Sequence, residues 1–316
     1  MRVHYHMRSL PHLGQAVLSI GFFDGVHRGH QRLIARTAEL ALQQQARSVL
    51  VTFWPHPLVV VRPATRITLL STLEEKLATL SSLGTLDDTV VIPFTPELAQ
   101  MDPEGFLDLL GKFCTVRSLV EGNDFALGHN RAGDLEYLRT AGVDRGFSVE
   151  GFEVLEEGER VSSTRIRGLV SEGNVASAAQ LLGRPYALSG LVVQGDQRGR
   201  LIGFPTANLQ VDDRKLLPAN GVFAVRVGLP GEPTPKHDGV CNVGIRPTFD
   251  GGTVVRVEVH LLDVAADLYG LNLTLEFVDR LRSEQKFAGI DELRAQIARD
   301  VQHARKILGD AGATRA

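Results

Sequence analysis

Two histidines, His27 and His30, lie three positions apart where a strand-like pattern gives way to a helical one. A strand-like run, Ala16 to Ile20, comes first. It is followed by Gly-Phe-Phe-Asp-Gly-Val-His-Arg-Gly-His over residues 21–30, which contains both histidines. A helix N-terminus carries unpaired backbone N–H groups and partial positive charge, so it binds phosphate. Histidines placed there can stabilise charge that develops on phosphorus during group transfer. The spacing therefore points to chemistry on a phosphorylated substrate.

Two other interpretations of this pair stay open on the residues alone. The histidines would be ordinary polar residues at a helix start, or they would be two metal ligands. A zinc site is the weaker of these, because no Cys pair and no His-Glu-x-x-His accompanies them.

Further polar segments of the first half fall at the ends of predicted elements. Ser163, Thr164 and Arg167 begin a predicted helix; capping explains a hydroxyl there, whereas Arg167 fits a bidentate phosphate clamp. His56 lies between Pro55 and Pro57, either as part of a site or as a solvated imidazole in a rigid loop. Both motifs are candidates for substrate binding.

The second half contains a glycine-rich segment, residues 195–208, that ends in Pro-Thr-Ala-Asn. Its glycines would let backbone N–H groups approach phosphates, although a turn-rich hairpin loop is the simpler interpretation. Thr206 and Asn208 could give Mg²⁺ its few protein oxygens. Glu258 lies within Val-Glu-Val-His, either on a solvated strand face or as a base facing a cleft.

The bulk composition restricts the class of protein. The chain has 316 residues, which predicts two domains, and it is 43% hydrophobic and 22% charged, as in ordinary globular proteins. A net charge of −3 argues against broad binding to nucleic acid or anionic membranes. The two cysteines, Cys114 and Cys241, fit neither a metal spacing nor a disulfide framework. With no signal peptide or membrane-length apolar run visible, we expect a cytoplasmic protein whose partners are small molecules.

The pattern of elements changes near Arg184, so we predict domains over residues 1–184 and 185–316. The first alternates strands and helices, which predicts a parallel sheet with ligands at the carboxyl ends of its strands. The second has strand-like runs separated by Gly, Pro and Asp, which predict an antiparallel sheet or small barrel. A final helix carries apolar residues at helical spacing from Ile290 to Val301.

The motifs of the first half together resemble the FMN adenylyltransferase module of prokaryotic FAD synthetases, a Rossmann-like nucleotidyltransferase. The resemblance rests on Gly-Phe-Phe-Asp-Gly-Val-His-Arg-Gly-His-Gln, Thr-Phe-x-Pro-His-Pro, Gly-x-Asp-Phe and Ser-Ser-Thr-x-Ile-Arg. It implies that His27 and His30 stabilise the transition state while the phosphate of FMN attacks the α-phosphorus of ATP. It also implies a set of binding residues: Gly21, Phe23, Asp24, Gly25, His56, Asp124, Ser163, Thr164 and Arg167.

The second half resembles riboflavin kinase, whose fold is a six-stranded antiparallel barrel. The resemblance rests on Pro-Thr-Ala-Asn, Asn-Gly-Val-Phe, Val-Glu-Val-His and Leu-Arg-Ser-Glu-Gln-Lys-Phe in this order. It implies that Thr206 and Asn208 bind Mg-ATP and that Glu258 activates the 5′-hydroxyl of riboflavin. Further implied binding residues are Gly195, Arg200, Gly203, Pro205, Asn220, Arg282 and Phe287, the last two near the isoalloxazine.

The two resemblances cover nearly the whole chain, so the sequence predicts a bifunctional enzyme. Riboflavin and ATP would give FMN, and FMN and a second ATP would give FAD. One alternative is an adenylyltransferase for another phosphate acceptor with a regulatory barrel, against which Pro-Thr-Ala-Asn and Glu258 argue. The other is a catalytically silent flavin-binding or sensing protein, against which the intact His27, His30 and Asn208 argue.

Overall fold

The computed structural model of the protein describes residues 1–5, 10–62, 64, 67–153, 155–156, 159–195, 198–232, 234–247, 253–264 and 266–313. Contacts divide the chain into two compact units, Met1–Ile67 with Leu73–Ser162, and Thr68–Thr72 with Ser163–Ala316. Residues 163–184, which the sequence assigns to the first domain, therefore pack with the second unit. The assignment of one function to each side of Arg184 stays a prediction.

The strands are β1 (Arg2–His4), β2 (Gln15–Ile20), β3 (Arg47–Trp54), β4 (Asp88–Pro93), β5 (Thr115–Gly122), β6 (Ala126–Leu127), β7 (Gly133–Asp134), β8 (Ser148–Phe152), β9 (Leu155–Glu156), β10 (Glu159–Arg160), β11 (Tyr186–Val193), β12 (Ala207–Val211), β13 (Gly221–Gly228), β14 (His237–Pro247), β15 (Thr253–Leu261) and β16 (Asn272–Arg282). The helices are α1 (Arg28–Gln43), α2 (Pro57–Val61), α3 (Leu73–Leu83), α4 (Pro96–Ala99), α5 (Pro103–Gly111), α6 (Leu135–Arg145), α7 (Ser163–Ser171), α8 (Val175–Leu182), α9 (Arg198–Leu201) and α10 (Ile290–Ala313).

The first unit is built on a six-stranded sheet in the order β1-β4-β3-β2-β5-β8. All its strand pairs are parallel, which confirms the Rossmann-like prediction. Successive residues of β2 point to opposite faces, so Leu18 packs in one apolar cluster and Val17 in another. The Leu18 cluster includes residues of α5 and α6, whereas the Val17 cluster includes residues of α1 and α3. Helices therefore cover both faces of the sheet.

Local sequence signals position the helices of this unit. Asp102 caps α5 by accepting a hydrogen bond from the backbone N–H of Gly105 at 2.7 Å, and Pro103 takes the first helical position. Asp134 caps α6 in the same way, through the N–H of Tyr137 at 2.9 Å. Asp102 and Pro103 thus specify the start of α5 locally, while β1 and β8 at the sheet edges were not predicted.

The second unit contains a closed barrel in the order β11-β12-β15-β14-β13-β16. Every neighbouring pair is antiparallel, and β16 closes the barrel against β11. The six-stranded barrel and the C-terminal helix are therefore confirmed. Residues Ala304 and Leu308 of α10 pack with Val222 and Ala224 of β13 in one apolar cluster. Among the described residues, no helix combines the length and apolarity needed to cross a membrane.

Candidate active sites

The first site lies where the strand order of the parallel sheet reverses. The chain moves outward from β2 to β3 on one side, whereas β5 pairs with β2 on the other. Ligands of open parallel sheets bind at the carboxyl ends of the strands beside such a reversal. The segments that follow β2 and β5 begin with Gly21 and Asn123, so the predicted motifs of both lie at this edge.

A compact loop connects β2 to α1. Phe23, Gly25 and Val26 have φ values of 53°, 76° and 42°, three left-handed conformations within four residues. Phe23 is buried, and the edge of its ring packs against His30 with centroids 5.1 Å apart. A Cβ atom on Gly21 would stand 3.2 Å from the ring of Phe23, so a side chain there would press on the loop. Asp24 and Gly25 are buried in the same turn.

The two histidines begin α1 as a stacked pair. Their ring centroids lie 3.6 Å apart with an interplanar angle of 15°. Nδ1 of His27 accepts a hydrogen bond from the backbone N–H of His30 at 3.3 Å, so His27 is the N-cap. In neutral His27 the ring proton is therefore on Nε2, where it can be donated to an anion. The structure thus places both predicted histidines together at a helix N-terminus.

His30 is held in its neutral form. Its pKa lies well below the ordinary value because burial disfavours the charged imidazole, and the charges of His27 and Lys76 act in the same direction. Nδ1 of His30 is shielded from solvent and has no hydrogen-bond partner within the described part of the chain. A buried polar atom without a hydrogen-bond partner costs free energy. A ligand that forms a hydrogen bond with Nδ1 of His30 would therefore be stabilised.

A third group of this site, Lys76 on α3, was not predicted from the sequence. Its ammonium donates to the carbonyl of Phe22 at 2.9 Å and to Oγ1 of Thr52 at 3.1 Å. The side chain is 1% exposed, and burial lowers its pKa to about 8 although Asp24 opposes the shift. The signal in the sequence was a lysine on the same helical face as Leu73 and Leu80, where an apolar residue is expected.

A second unpredicted group is the carboxyl of Glu121, near the end of β5. It accepts a hydrogen bond from the backbone N–H of Ile20 at 2.7 Å, which joins β5 to the end of β2 at the strand reversal. Burial raises its pKa well above the ordinary value, and the hydrogen bond from Ile20 only partly offsets this. Glu121 was not predicted because it directly follows the apolar residues of a predicted strand.

Two other predicted residues of the first unit lie on its loops. Nδ1 of His56 caps α2 by accepting from the N–H of Leu58 at 3.1 Å, and its ring contacts Phe22 with centroids 4.0 Å apart. Asp124 is exposed in the turn after β5, where its backbone carbonyl accepts from Arg131 at 2.6 Å. His56 is therefore linked through Phe22 to the loop before α1.

Ser163, Thr164 and Arg167 lie in the first turns of α7, within the second compact unit. The predicted helix start is confirmed. Thr164 is exposed, whereas Ser163 and Arg167 are half-buried. Their role as phosphate ligands beside the histidine pair stays a prediction.

The second site is on the barrel wall. Asn208 of β12 pairs in register with Glu258 of β15, and Asn242 of β14 pairs with Glu258 from the other side. The Glu258 side chain is 30% exposed, and Arg256 approaches it with an N–O distance of 3.8 Å. Glu258 is thus a half-buried carboxylate next to two amide-bearing positions, in place of a fully solvated residue on an outer strand face.

The glycine-rich segment packs closely against Asn208. A Cβ atom on Gly195 would lie 2.2 Å from the amide nitrogen of Asn208, so a side chain at this position would force the amide to move. Gly199 has the same constraint, because its Cβ would lie 2.3 Å from the carbonyl of Phe204. Part of this predicted loop is helical, since α9 includes Arg200, and Gly203 just after it has a φ of 88°.

His260, which was not predicted as a functional residue, holds the end of this segment. Its Nδ1 lies 2.7 Å from the carbonyl of Pro205, and its ring meets Phe204 edge-on at 5.5 Å. Thr206, which follows, is exposed. A sequence signal existed, because His260 is two positions from Glu258 and therefore points to the same side of β15.

The remaining predicted residues are held by arginines at the barrel end. Arg282 forms an ion pair with Asp300 of α10 at 2.8 Å and lies 5.8 Å from the ring centroid of Phe287. Arg280 donates to the backbone carbonyl of Asn220 at 2.7 Å. The structure therefore gives Arg282 a partner in the protein itself, which fixes its position beside Phe287.

Comparison with known proteins finds one family match in each half of the chain. A family model described as FAD synthetase matches residues 10–165, and one described as riboflavin kinase matches residues 182–308. A bifunctional riboflavin kinase/FMN adenylyltransferase of Escherichia coli strain K12 is 42% identical over 96% of this chain and 97% of its own length. Its counterpart in Bacillus subtilis is 35% identical over 92% of both chains. This chain belongs to the family of bifunctional riboflavin kinases/FMN adenylyltransferases.

A solved structure shares the fold of this chain. A crystal structure titled as a macrolide-efflux protein from Streptococcus pneumoniae superimposes with a TM-score of 0.87 and 29% identity. It covers 96% of this chain, and this chain covers 99% of it. The FAD synthetase match includes the histidine pair, and the riboflavin kinase match includes Asn208 and Glu258.

Proposed function

We propose that this chain makes FMN at the barrel site and FAD at the histidine site. Its function is flavin cofactor biosynthesis, from riboflavin through FMN to FAD, as its two family matches and its relatives support. Riboflavin, FMN and ATP are its small-molecule substrates. One observation supports the assignment of one reaction to each site, because each family match contains its own cluster of chemically suited residues. The FAD synthetase match contains the stacked His27–His30 pair, and the riboflavin kinase match contains the Asn208–Glu258 pair.

In the proposed adenylyl transfer, a phosphate oxygen of FMN attacks the α-phosphorus of ATP. The new P–O bond forms as the bond to the bridging oxygen breaks, and pyrophosphate leaves with that oxygen. The N-terminus of α1 and the Nε2–H of His27 offer donors to the charge that accumulates on the phosphoryl oxygens. Neutral His30, packed against His27, adds a second donor without placing two charges in one small volume.

Several further residues take binding roles in this proposal. Asp124 positions the flavin or adenine, His56 contributes from the neighbouring loop, and Gly21 to Gly25 provide close backbone approach. Ser163, Thr164 and Arg167 hold the phosphates from the start of α7. Support for the last role comes from chemistry, since two hydroxyls and a guanidinium at a helix start suit a polyphosphate.

In the proposed kinase reaction, Glu258 accepts the proton of the riboflavin 5′-hydroxyl as its oxygen attacks the γ-phosphorus of ATP. ADP leaves, and the proton remains on the carboxylate until it passes to solvent. Glu258 suits a base because its carboxylate lies on the same face of the barrel wall as the proposed metal ligand Asn208. Gly195, Arg200, Gly203 and Pro205 surround the ATP phosphates in this proposal, while Asn220, Arg282 and Phe287 contact the flavin.

Mg²⁺ is the metal that this proposal assigns to the kinase site. The donor set suits it, because Thr206 and Asn208 offer neutral oxygens and the phosphates of ATP supply the rest. The missing Cβ of Gly195 keeps the approach to the Asn208 amide open. Thr206 and Asn208 would hold the ion, which when bound neutralises charge on the phosphates.

A cytoplasmic location is also part of the proposal. Both cysteines, Cys114 and Cys241, are buried and unpaired, which suits a reducing compartment. Burial also raises the pKa of Cys114 to about 12, so its thiol stays protonated at neutral pH.

One experiment tests the proposed function. The protein is incubated with riboflavin, ATP and Mg²⁺, and the flavins are separated by chromatography over time. FMN that appears first and then declines as FAD accumulates supports both reactions. A second assay supplies FMN in place of riboflavin. If the products from riboflavin stop at FMN, the adenylyltransferase activity is excluded. If riboflavin stays unchanged while supplied FMN is converted to FAD, the kinase activity is excluded. Bound but unconverted flavin in both tests would favour a sensing protein.

A further inference from the structure

The buried lysine of α3 has no place in the two reactions as described so far. Lys76 lies on the core-facing side of its helix, between Leu73 and Leu80, and only 1% of it is exposed. Lysine is among the residues least often found fully buried. A purely structural role does not explain this lysine well, because burying a charged ammonium costs free energy. An apolar residue would fill the same helix face at a lower cost.

Two contacts of Lys76 are made with Phe22, a residue of the loop before α1. The ammonium donates to the Phe22 carbonyl at 2.9 Å and lies 4.2 Å from the centroid of the Phe22 ring. Oγ1 of Thr52 receives a second hydrogen bond from Lys76 and lies 3.2 Å from the same carbonyl. Lys76 and Thr52 thus fix both the backbone and the ring of Phe22.

Phe22 is the point where the loop leaves the extended conformation of β2. Three of the next four residues are left-handed, and two of these, Phe23 and Val26, are residues that rarely adopt such backbone angles. The other end of the loop is held by Gln31, whose side chain donates to the carbonyl of Val26 at 2.8 Å. Lys76 therefore secures the first end of a strained turn whose last residue precedes His27.

The lysine also acts on the histidine pair through its charge. Lys76 on α3 and His27 at the N-cap both oppose protonation of His30, while Asp24 in the intervening turn favours the charged lysine. These titratable groups come from the three elements that surround the pair: α3, the 3₁₀ turn Asp24–Val26, and α1. A fixed cation there also attracts a polyphosphate.

We propose that Lys76 is a positioning residue of the adenylyl-transfer site, which holds the loop before α1 through the Phe22 carbonyl and keeps a buried positive charge within reach of His30. The inference rests on the proposed function of the histidine pair. Lys76 touches no reacting atom. It acts by placing His27, His30 and the N-terminus of α1, so its removal slows the chemical step more than it weakens substrate binding.

The test compares Lys76→Met with Lys76→Arg, and uses Glu74→Gln, an exposed change on the same helix, as the matched control. FAD formation from supplied FMN, FMN formation from riboflavin, and the melting temperature are measured for each. In Lys76→Met we expect kcat for FAD formation to fall by about 10²-fold, the scale of a misplaced catalytic group, with KM changed much less. The kinase activity should stay within about twofold of the parent, and Glu74→Gln should change none of the three.

A pH readout separates positioning from simple packing. The imidazole of His30 is followed by NMR, and its signal is identified by its loss in His30→Ala. We expect its pKa to rise in Lys76→Met, because one opposing charge is gone, and to stay at the parent value in Lys76→Arg, which should also recover kcat to within about tenfold of the parent.

Three results would overturn the proposal. The first is a Lys76→Met protein that keeps its kcat for FAD formation, and the second is an arginine variant as slow as the methionine variant. Early melting of Lys76→Met with loss of both activities would assign Lys76 a packing role and would also reject it. Failure of the proposed function is a separate outcome, since it requires His30→Ala to form FAD at the parent rate.

Discussion

Asn208 and Glu258 are cross-strand neighbours on β12 and β15, with their Cα positions directly paired. Side chains at paired positions of antiparallel strands point to the same face of the sheet. The proposed metal ligand and the proposed base therefore share one face of the barrel wall, although 50 residues separate them in sequence. Closure of the barrel fixes this register, so the site depends on β12, which begins where the glycine-rich segment ends.

Glu258→Gln should remove the base and keep the size and much of the hydrogen bonding. We expect kinase turnover to fall by about 10²–10⁴-fold while riboflavin affinity changes little. The measurement is FMN formation from riboflavin together with riboflavin titration by fluorescence. Asp213→Asn, a charge removal at an exposed position of the same unit, serves as the control. Unchanged turnover in Glu258→Gln would exclude the residue as the base.

Gly195→Ala should damage the kinase site through its neighbour. The new Cβ would stand 2.2 Å from the Asn208 amide nitrogen, so the amide must move. We expect a higher requirement for Mg²⁺ and lower kinase turnover, measured by titrating Mg²⁺ in the riboflavin assay. Gly289→Ala provides the control, because its Cβ would meet no atom within 4 Å. If both alanine variants respond to Mg²⁺ like the parent, Asn208 does not hold the ion.

The pKa of His30 predicts a pH dependence of stability. Because the folded state lowers this pKa below its ordinary value of 6.5, folding favours the neutral ring. The stabilising contribution is complete above the unfolded pKa and is lost as the pH falls below about 6.5 towards the folded value. Urea denaturation at pH 7.5 and 5.5 should show a smaller loss of stability for His30→Ala than for the parent. Equal losses in the two proteins would show that His30 is not buried as a neutral group.

The position of the functional boundary predicts the behaviour of two fragments. Residues 185–316 contain the whole barrel, whereas residues 163–316 also contain α7 and α8, which pack with it. Arg280 of β16 links to this added part through the carbonyl of Glu172 at 3.3 Å. We expect both fragments to phosphorylate riboflavin and the longer one to melt at a higher temperature. A folded shorter fragment that binds riboflavin without making FMN would place the boundary elsewhere.

Much of the fold was readable because its signals are local. Asp102 followed by Pro103 specifies a helix start by itself, and the apolar run within β5 specifies a buried strand of the parallel sheet. Strand β12 was missed because Asn208 and Gln210 interrupt its apolar residues directly after a glycine-rich segment. Only pairing with β11 and β15 makes it a strand, and such pairing cannot be read from a short window.

The candidate sites divide in the same way. His27 and His30 were predictable because their spacing and their place at a helix start are both local features. Lys76 was not, since its role depends on the approach of α3 to Phe22, 54 residues earlier in the chain. Arg282 was assigned to the flavin from family resemblance, and the ion pair with Asp300 could be found only from the packing of α10.

The central claim is that the two reactions take place at separate sites and do not depend on each other. The most direct test mixes two variants, each of which lacks one of the two activities. His30→Ala should convert riboflavin to FMN and form FAD about 10²–10³-fold more slowly, the typical cost of one lost transition-state donor. Glu258→Gln should convert supplied FMN to FAD but make little FMN from riboflavin. When the two variants are combined with riboflavin, ATP and Mg²⁺, we predict FAD at a rate far above the sum of the separate reactions. A mixture that makes no more FAD than that sum, or a single substitution that abolishes both activities, would contradict the division of the two chemistries.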